Sequence, residues 1–363
     1  MAMNEFYILN KQFLLMGVVD NYKSAIWSER LYDNGDFELY CPRNAYNYNI
    51  LKLNSNTCIP VYVMRKDDTS KIGILTDVKY TYDTDDGEMI VATGYTDDYL
   101  LHYRVIFEQS SYFGNAEYAI RHMVYNAMIH SEFGYDARNA TDRIQLGDFV
   151  NLDDSYTVNL QFMGDYLDEA IYKMGKDLGI GYMVRFNTSN NKFIFNIIKG
   201  ANKPNVIFSQ NLDNLLSSEY VSSVKPNTIY AIGEGSGVDK YVGQYDTGQT
   251  EATGLLRHEF YVNGDKISDN AEGFSILSYV NLLKGKAIQG YADKYSDAEN
   301  IQSSVAPNSY VYGTDYDIGD IVQVIIGSGI GGVSQQKLQQ RVIEVVECWD
   351  DSGYSCEPKF ETV

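Results

Sequence analysis

Between Thr76 and Tyr95 the side chains alternate. Thr76, Val78, Tyr80 and Tyr82 are separated by polar residues, an acidic turn follows at Asp83–Gly87, and Met89–Tyr95 returns. A period of two sends successive side chains to opposite faces of an extended chain, so this stretch reads as a hairpin with one apolar face. An earlier stretch has the same form: Ala25–Tyr32 and Phe37–Cys41 flank Asp33-Asn34-Gly35-Asp36. Asn-Gly accepts the positive φ values of a tight hairpin turn, and that is the conformation expected at Gly35. Composition agrees with strands. Tyr occurs 32 times, aromatics make up 13% and Pro occurs 6 times, and aromatic rings suit a pleated, half-buried surface. Tyr also suits surfaces that become buried on assembly, because its ring is apolar and its tip polar.

The pattern changes after Ile106. Ala116, Ala119, Ile120, Met123, Val124, Ala127 and Met128 recur at spacings of three and four, which predicts a helix over 115–131 capped by Asn115. A second helix is predicted over 165–178, with Leu167, Ala170, Ile171, Met174 and Leu178 inward and Gly179 and Gly181 at its end. Tyr182–Phe186 and Phe193–Ile198 then form a hairpin. Strands resume at Val206–Phe208, Thr228–Ile232 and Arg257–Val262, a helix spans about 274–295, and Ile321–Ile326 and Gln340–Glu347 are again strands. No repeat of fixed period is visible. The expected class is α+β, mainly β: a β-rich region at 1–106, an α+β insertion domain at 107–204, and a second β-rich region with one helix at 205–363.

Charge limits the function. The 49 acidic and 29 basic residues give a net charge of −20, and no Lys/Arg run offers phosphates a binding face. Residues 1–10 lack the pattern of a secretory signal. No apolar run approaches the roughly 18 residues of a membrane span, so membrane insertion is not expected. Cys41, Cys58, Cys348 and Cys356 form no C-x-x-C pair, and with only four His a zinc site of ordinary spacing is not expected.

The motifs that suggest chemistry each read more simply as structure. Gly327–Gly332 matches G-x-G-x-x-G, but a dinucleotide fold needs a helix, a strand and an acidic residue after it. Only 31 residues follow Gly332, so a glycine-rich hairpin connection is expected. Gly233–Gly237 lacks a following Lys-Ser/Thr and encloses Glu234. Asp83–Glu88 fails the calcium-loop frame, because Tyr82 and Thr84 would fall on ligand positions. Asp315, Asp317 and Asp320 lie close in sequence, in a strand-like stretch around Tyr316. His102, His122, His130 and His258 sit in no HExxH or G-x-S-x-G context. No catalytic, cofactor-binding or metal residue is therefore assigned, and no enzyme activity is expected.

The order of several blocks resembles the tail-hub (baseplate-hub) proteins of long-tailed siphophages. They are Phe6–Asn10, the Trp27 strand with Asn34–Leu39, Gly73–Leu75, Asn227–Tyr230 leading into Gly233–Gly237, Arg257–Glu259, and Tyr312–Val322. The resemblance runs from about residue 5 to 360 and is weakest over 107–204. It departs at the Gly327–Gln340 connection. It implies a structural virion protein at the tail tip, made in the bacterial cytoplasm, with two β-barrel-like hub domains flanking the insertion. A homotrimeric ring would then present six similar barrels to a sixfold tail tube. The implied partners are the distal tail protein, tail tube, tape-measure protein, and a tail fibre or receptor-binding protein, with DNA passing an acidic lumen unbound. Two rival readings are a tail protein that binds host-surface carbohydrate through exposed Tyr/Trp platforms and a tail-associated cell-wall hydrolase.

Overall fold

The computed structural model describes residues 4–53, 59–106, 109–130, 141–220, 224–235, 240–248, 253–264, 267, 275–295, 300–305, 310–327 and 335–363, with backbone alone at 216–220 and 300–305. Thirteen strands join in one branched sheet. Twelve of them divide into two units of six with the same pairing scheme. In the N-terminal unit the strands are Phe6–Leu9, Ser24–Arg30, Asp36–Pro42, Tyr62–Arg65, Ile72–Asp83 and Gly87–Thr96. In the C-terminal unit they are Asn202–Ser209, Leu215–Tyr220, Asn300–Val305, Ile321–Ile326, Gln336–Asp350 and Gly353–Thr362. In each unit the first strand pairs with the fourth, the second with the third, the third with the sixth, the sixth with the fifth, and the fifth with the fourth.

The units differ in two ways. The first-to-fourth pairing is antiparallel in the N-terminal unit and parallel in the other. The thirteenth strand, Leu15–Val19, is an extra edge on the N-terminal unit. The two units join where Glu344–Asp350 pairs antiparallel with Ser24–Arg30. These pairings do not by themselves close a ring of strands.

The hairpin at 72–96 is present and turns through Gly87 at φ +74°, but the expected apolar face stops at Val78, because Tyr80 and Tyr82 are exposed. The first hairpin is also present, but Gly35 is not at positive φ. A Cβ on Gly35 would lie 2.2 Å from the Ser28 carbonyl oxygen and 2.8 Å from the Thr96 side chain. Glycine is required there because the Ser28 carbonyl, and then the Thr96 side chain, leave no room for a Cβ, not because of the turn's own dihedrals.

Residues 97–201 separate the units. The helix Ala116–Val124 starts at Asn115, whose side chain accepts from the Glu117 and Tyr118 amides, and it continues as a π-helix over Tyr125–His130. Glu117 then accepts from the Val150 and Leu152 amides, which ties down the loop beside it. The second helix begins at Leu167, two residues later than predicted, because Asp165–Tyr166 is a short strand paired with Val105–Ile106. It tightens to 3-10 over Lys176–Leu178 and ends at Gly179 with φ +63°. Gly181–Asn187 and Lys192–Ile198 form the expected hairpin. The helix and hairpin side chains share a core with Tyr62, Met64, Ile72 and Ile74, so this segment packs directly on the N-terminal unit.

Between the second and third strands of the C-terminal unit, a small sheet of Thr228–Ile232, Val242–Asp246 and Glu259–Asn263 packs against the helix Ile276–Tyr295. The predicted start of that helix at 274 lies outside the described residues. Ile321–Ile326 and Gln336–Asp350 pair antiparallel, and the expected glycine-rich connection between them, residues 328–334, lies outside the described residues.

Candidate functional site

A cavity of about 1200 Å³ opens where the three parts of the chain meet. The N-terminal unit contributes Arg65 and Lys71, the intervening hairpin Arg185, and the C-terminal unit Tyr312, Glu347 and Tyr354. Arg65 closes the apolar strand Tyr62–Arg65, so its guanidinium is carried into the protein by its own backbone. It lies 4.8 Å from the Trp349 ring and 5.8 Å from the Trp27 ring, contacts that favour a cation over an aromatic face. It donates to both carboxylate oxygens of Glu347 and to both of Asp67. Tyr354 donates to Glu347 at 2.9 Å.

Glu29, on the strand Ser24–Arg30, is a second hub. Its carboxylate accepts from Lys71 Nζ at 2.5 Å, Arg185 at 2.5 Å and the Tyr312 hydroxyl at 2.7 Å. Burial alone would raise this carboxyl's pKa. Arg185 and Lys71 outweigh burial and hold it well below the usual carboxylate range. Six ionised groups (Glu29, Asp67, Glu347, Arg65, Lys71 and Arg185) thus balance in charge across the junction. Two further acids lie against them. Asp98 accepts from the Val184 amide and from the Thr96 hydroxyl, yet burial pushes it up to about 6. Asp97 is buried with neither carboxylate oxygen hydrogen-bonded, and burial and the neighbouring Asp98 raise it well above its ordinary value.

Such a network holds segments in register and offers little chemistry. Glu29, Asp67 and Glu347 are each committed to a cation, and Asp98 to an amide and a hydroxyl. Among the described residues no group of three or more His, Cys, Asp or Glu is placed to hold a metal ion. His102 bonds Asp168 at 2.9 Å, but Tyr99 and Tyr166 stack on it, so the imidazole is packed as a structural group. Burial pushes the Cys41 thiol up to about 12 and the Cys356 thiol to about 11, far from the thiolate that a nucleophile needs. Cys58 lies outside the described residues. Asp315, Asp317 and Asp320 do not converge on a cation, and they sit in a turn, not a strand. Asp315 accepts from the Val311 amide, and Asp320 accepts from the Ala201 and Asp317 amides. Asp83 likewise caps its own turn by accepting from the Asp85 and Asp86 amides.

The residues that build this junction were not singled out in the sequence. Arg65 at the end of an apolar run was the one visible signal, because a charge inside a strand of buried residues needs a partner. Its partner is 282 positions away.

Solved structures similar to this chain include three tail proteins. The tail protein of Neisseria meningitidis MC58 matches with a TM-score of 0.55 at 10% identity, covering 98% of this chain and 96% of that one. The 43 kDa tail protein of prophage MuSo2 from Shewanella oneidensis gives 0.56 at 12%, covering 98% of each. Prophage tail protein gp18 of Listeria monocytogenes EGD-e gives 0.55 at 12%, covering 99% and 94%. At these identities the likeness is one of fold. No curated protein matches. Over residues 5–360 the chain matches the siphovirus ReqiPepy6 Gp37-like proteins, and it belongs to that family of phage tail proteins.

Proposed function

We propose that this chain is a structural subunit of the tail tip, a baseplate hub that assembles as a trimeric ring on the end of the tail tube. One observation carries the reading: a single chain contains two units with the same strand pairing, joined edge to edge in one sheet. A sixfold tube needs six similar partners, and three copies of a two-unit chain supply them. In this reading residues 1–106 and 205–363 are the two barrel-like hub regions. Residues 107–204 are the insertion that sits between them, braced by the Glu29 and Arg65 networks.

The distal tail protein, tail tube and tape-measure protein are the axial partners, and a tail fibre or receptor-binding protein the peripheral one. Three copies bring a net charge of −60, three times −20. A lumen taking a share of that charge repels phosphates and lets DNA slide. The chain acts by assembly in this reading, without catalysis. Carbohydrate binding is the weaker alternative, because both tryptophans are buried and the faces of Tyr99 and His102 are covered by other rings.

Light scattering on the purified chain, alone and with its distal-tail or tail-tube partner, tests the reading, followed by imaging of the particle along its axis. Trimers with six similar peripheral densities are expected. Monomers under every condition overturn it.

A further inference from the structure

One helix ties down the loop 147–152 from end to end, yet the loop turns apolar side chains to solvent. Glu117 and Arg121 are both buried on the helix Ala116–Val124. Glu117 accepts from the Val150 and Leu152 amides, and Arg121 donates to the Gly147 and Asp148 carbonyls. The cap residue Asn115 donates to the Leu152 carbonyl, and Asn151 turns the chain at φ +59°. The loop's backbone is thus held at both ends and in the middle.

On this frame Tyr118 is 66% exposed, Phe149 45% and Val150 37%. The Tyr118 and Phe149 rings lie 5.4 Å apart, and the Arg121 guanidinium sits 3.9 Å from the Phe149 ring. The patch runs into the large cavity where the three parts of the chain meet, because Val150 is part of that cavity's wall. A braced loop has little freedom left to lose when something binds it. Apolar side chains held in water at the edge of a cavity mark a contact surface.

Charge selects the occupant. Arg65, Lys71 and Arg185 are already matched inside the cavity by Glu29, Asp67 and Glu347. Of the lysines that line it, Lys66 is paired with Glu5 at 2.6 Å and Lys199 lies 3.9 Å from Asp153. Asp68 and Asp317 also line the cavity, and Asp148 and Asp154 lie within and just after the loop; none of these four makes an ion pair among the described residues. The unmatched charge around the opening is therefore acidic. We propose that the loop 147–152 and the cavity mouth beside it are the docking site for a segment of another tail protein that carries Lys or Arg among apolar residues. Its apolar side chains cover Tyr118, Phe149 and Val150, and its cations face Asp148 and Asp317.

Other occupants fit less well. A second copy brings a net charge of −20 to an acidic face, so like charges oppose it. Nucleic acid is repelled for the same reason. A sugar ring needs a flat, open aromatic face, whereas the Tyr118 and Phe149 rings are inclined by 48° and Arg121 lies over Phe149. The proposal rests on the chain's place among phage tail proteins and does not depend on the trimeric ring.

Photo-crosslinking in the assembled particle tests this. The probe is p-benzoylphenylalanine placed at Tyr118 and, separately, at Phe149 of the full-length chain, so that an aromatic ring replaces an aromatic ring. Irradiation is expected to join the chain to a different tail protein, mapped by mass spectrometry to a segment with Lys or Arg among apolar residues. Adding Asp148→Lys and Asp317→Lys to the Tyr118-labelled chain is expected to lower the cross-link yield about tenfold, because like charges then meet. Circular dichroism checks that each chain is folded, and Asp148→Asn with Asp317→Asn repeats the comparison if the Lys variant is not. Where a labelled chain does not enter particles, the purified chain mixed with the other tail proteins one at a time takes their place. A cross-link to a second copy overturns the proposal, and so does one to a foreign segment without cations. A yield unmoved by the charge changes overturns it, as does the absence of any protein cross-link from both labels.

Discussion

Trp27 stands opposite Glu347 in the strand pair that joins the two six-strand units, and Arg65 bonds Glu347 while lying against the rings of Trp27 and Trp349. One guanidinium thus touches both sides of the joint. The carboxylate it meets is buried, so the pair is worth little in net stability but expensive to break from one side. This combination suits a joint that must be specific.

Replacing Arg65 by Met leaves Glu347 buried with Tyr354 and a more distant Lys71, and is expected to cost about 3–5 kcal/mol in urea unfolding. A double-mutant cycle with Glu347→Gln is expected to show a coupling of about 1–3 kcal/mol. The exposed pair Arg43–Glu88 serves as the control. Its coupling is expected below about 1 kcal/mol. Equal couplings for the two pairs would show that the buried network does not hold the joint.

The two turn glycines separate two kinds of constraint. Gly87 has φ +74° with open space around its missing Cβ, so Gly87→Ala is expected to cost about 1–2 kcal/mol from the backbone alone. Gly35 has an ordinary φ but no room. Gly35→Ala is expected to cost about 3 kcal/mol, and Gly35→Val more, because the Ser28 carbonyl and Thr96 must move. Denaturant midpoints for the two Ala variants decide it. If Gly87→Ala proved the costlier, the close approach of the Ser28 carbonyl and Thr96 would be the wrong explanation for Gly35.

The cap at Asn115 joins a helix to its loop. Its side chain accepts from two helix amides and donates to the Leu152 carbonyl. Asn115→Ala is expected to cost about 1–2 kcal/mol, while Asn115→Asp keeps the cap and loses only the bond to Leu152. Thermal melts of both variants should therefore rank wild type, Asp, then Ala. An Asp variant no better than Ala would mean that the loop contact, not the cap, sets the stability.

Much of the local structure was legible because it depends on neighbours in sequence. Period two gave the hairpin at 72–96, and spacings of three and four gave the helix after Asn115. Two β-rich regions were expected, but the strand pairing they share was not legible. Strand pairing is a backbone property, and different side chains satisfy it: the second strand is Ser24–Arg30 in one unit and Leu215–Tyr220 in the other. The Glu29 and Arg65 networks were hidden for a related reason. Their members lie up to hundreds of positions apart, and nothing local marks Glu347 as different from the other acids of its strand. Gly35 was read as a dihedral requirement because Asn-Gly usually is one, whereas the constraint is steric, from the Ser28 carbonyl of the same hairpin and the Thr96 side chain.

Asp97 and Asp98 give the fold a dependence on pH that runs opposite to that of Glu29. Both aspartates titrate higher in the folded chain than in the unfolded one, where a carboxyl sits near 4. Below that pH they are protonated in both states and have no effect. As pH rises the unfolded chain releases these protons first, so stability falls, through about pH 6 for Asp98 and further for Asp97. Glu29 behaves in the other sense: its folded pKa is depressed, so its contribution is present above about pH 4 and is lost in stronger acid. Asp97→Asn removes a carboxylate that makes no hydrogen bond and leaves Asp98 bonded to Val184 and Thr96. Its melting temperature is expected to exceed that of the wild type at pH 8 and to match it at pH 4. A gain of equal size at both pH values would mean that packing or hydrogen bonding of the amide, not the removal of a buried charge, stabilises the variant.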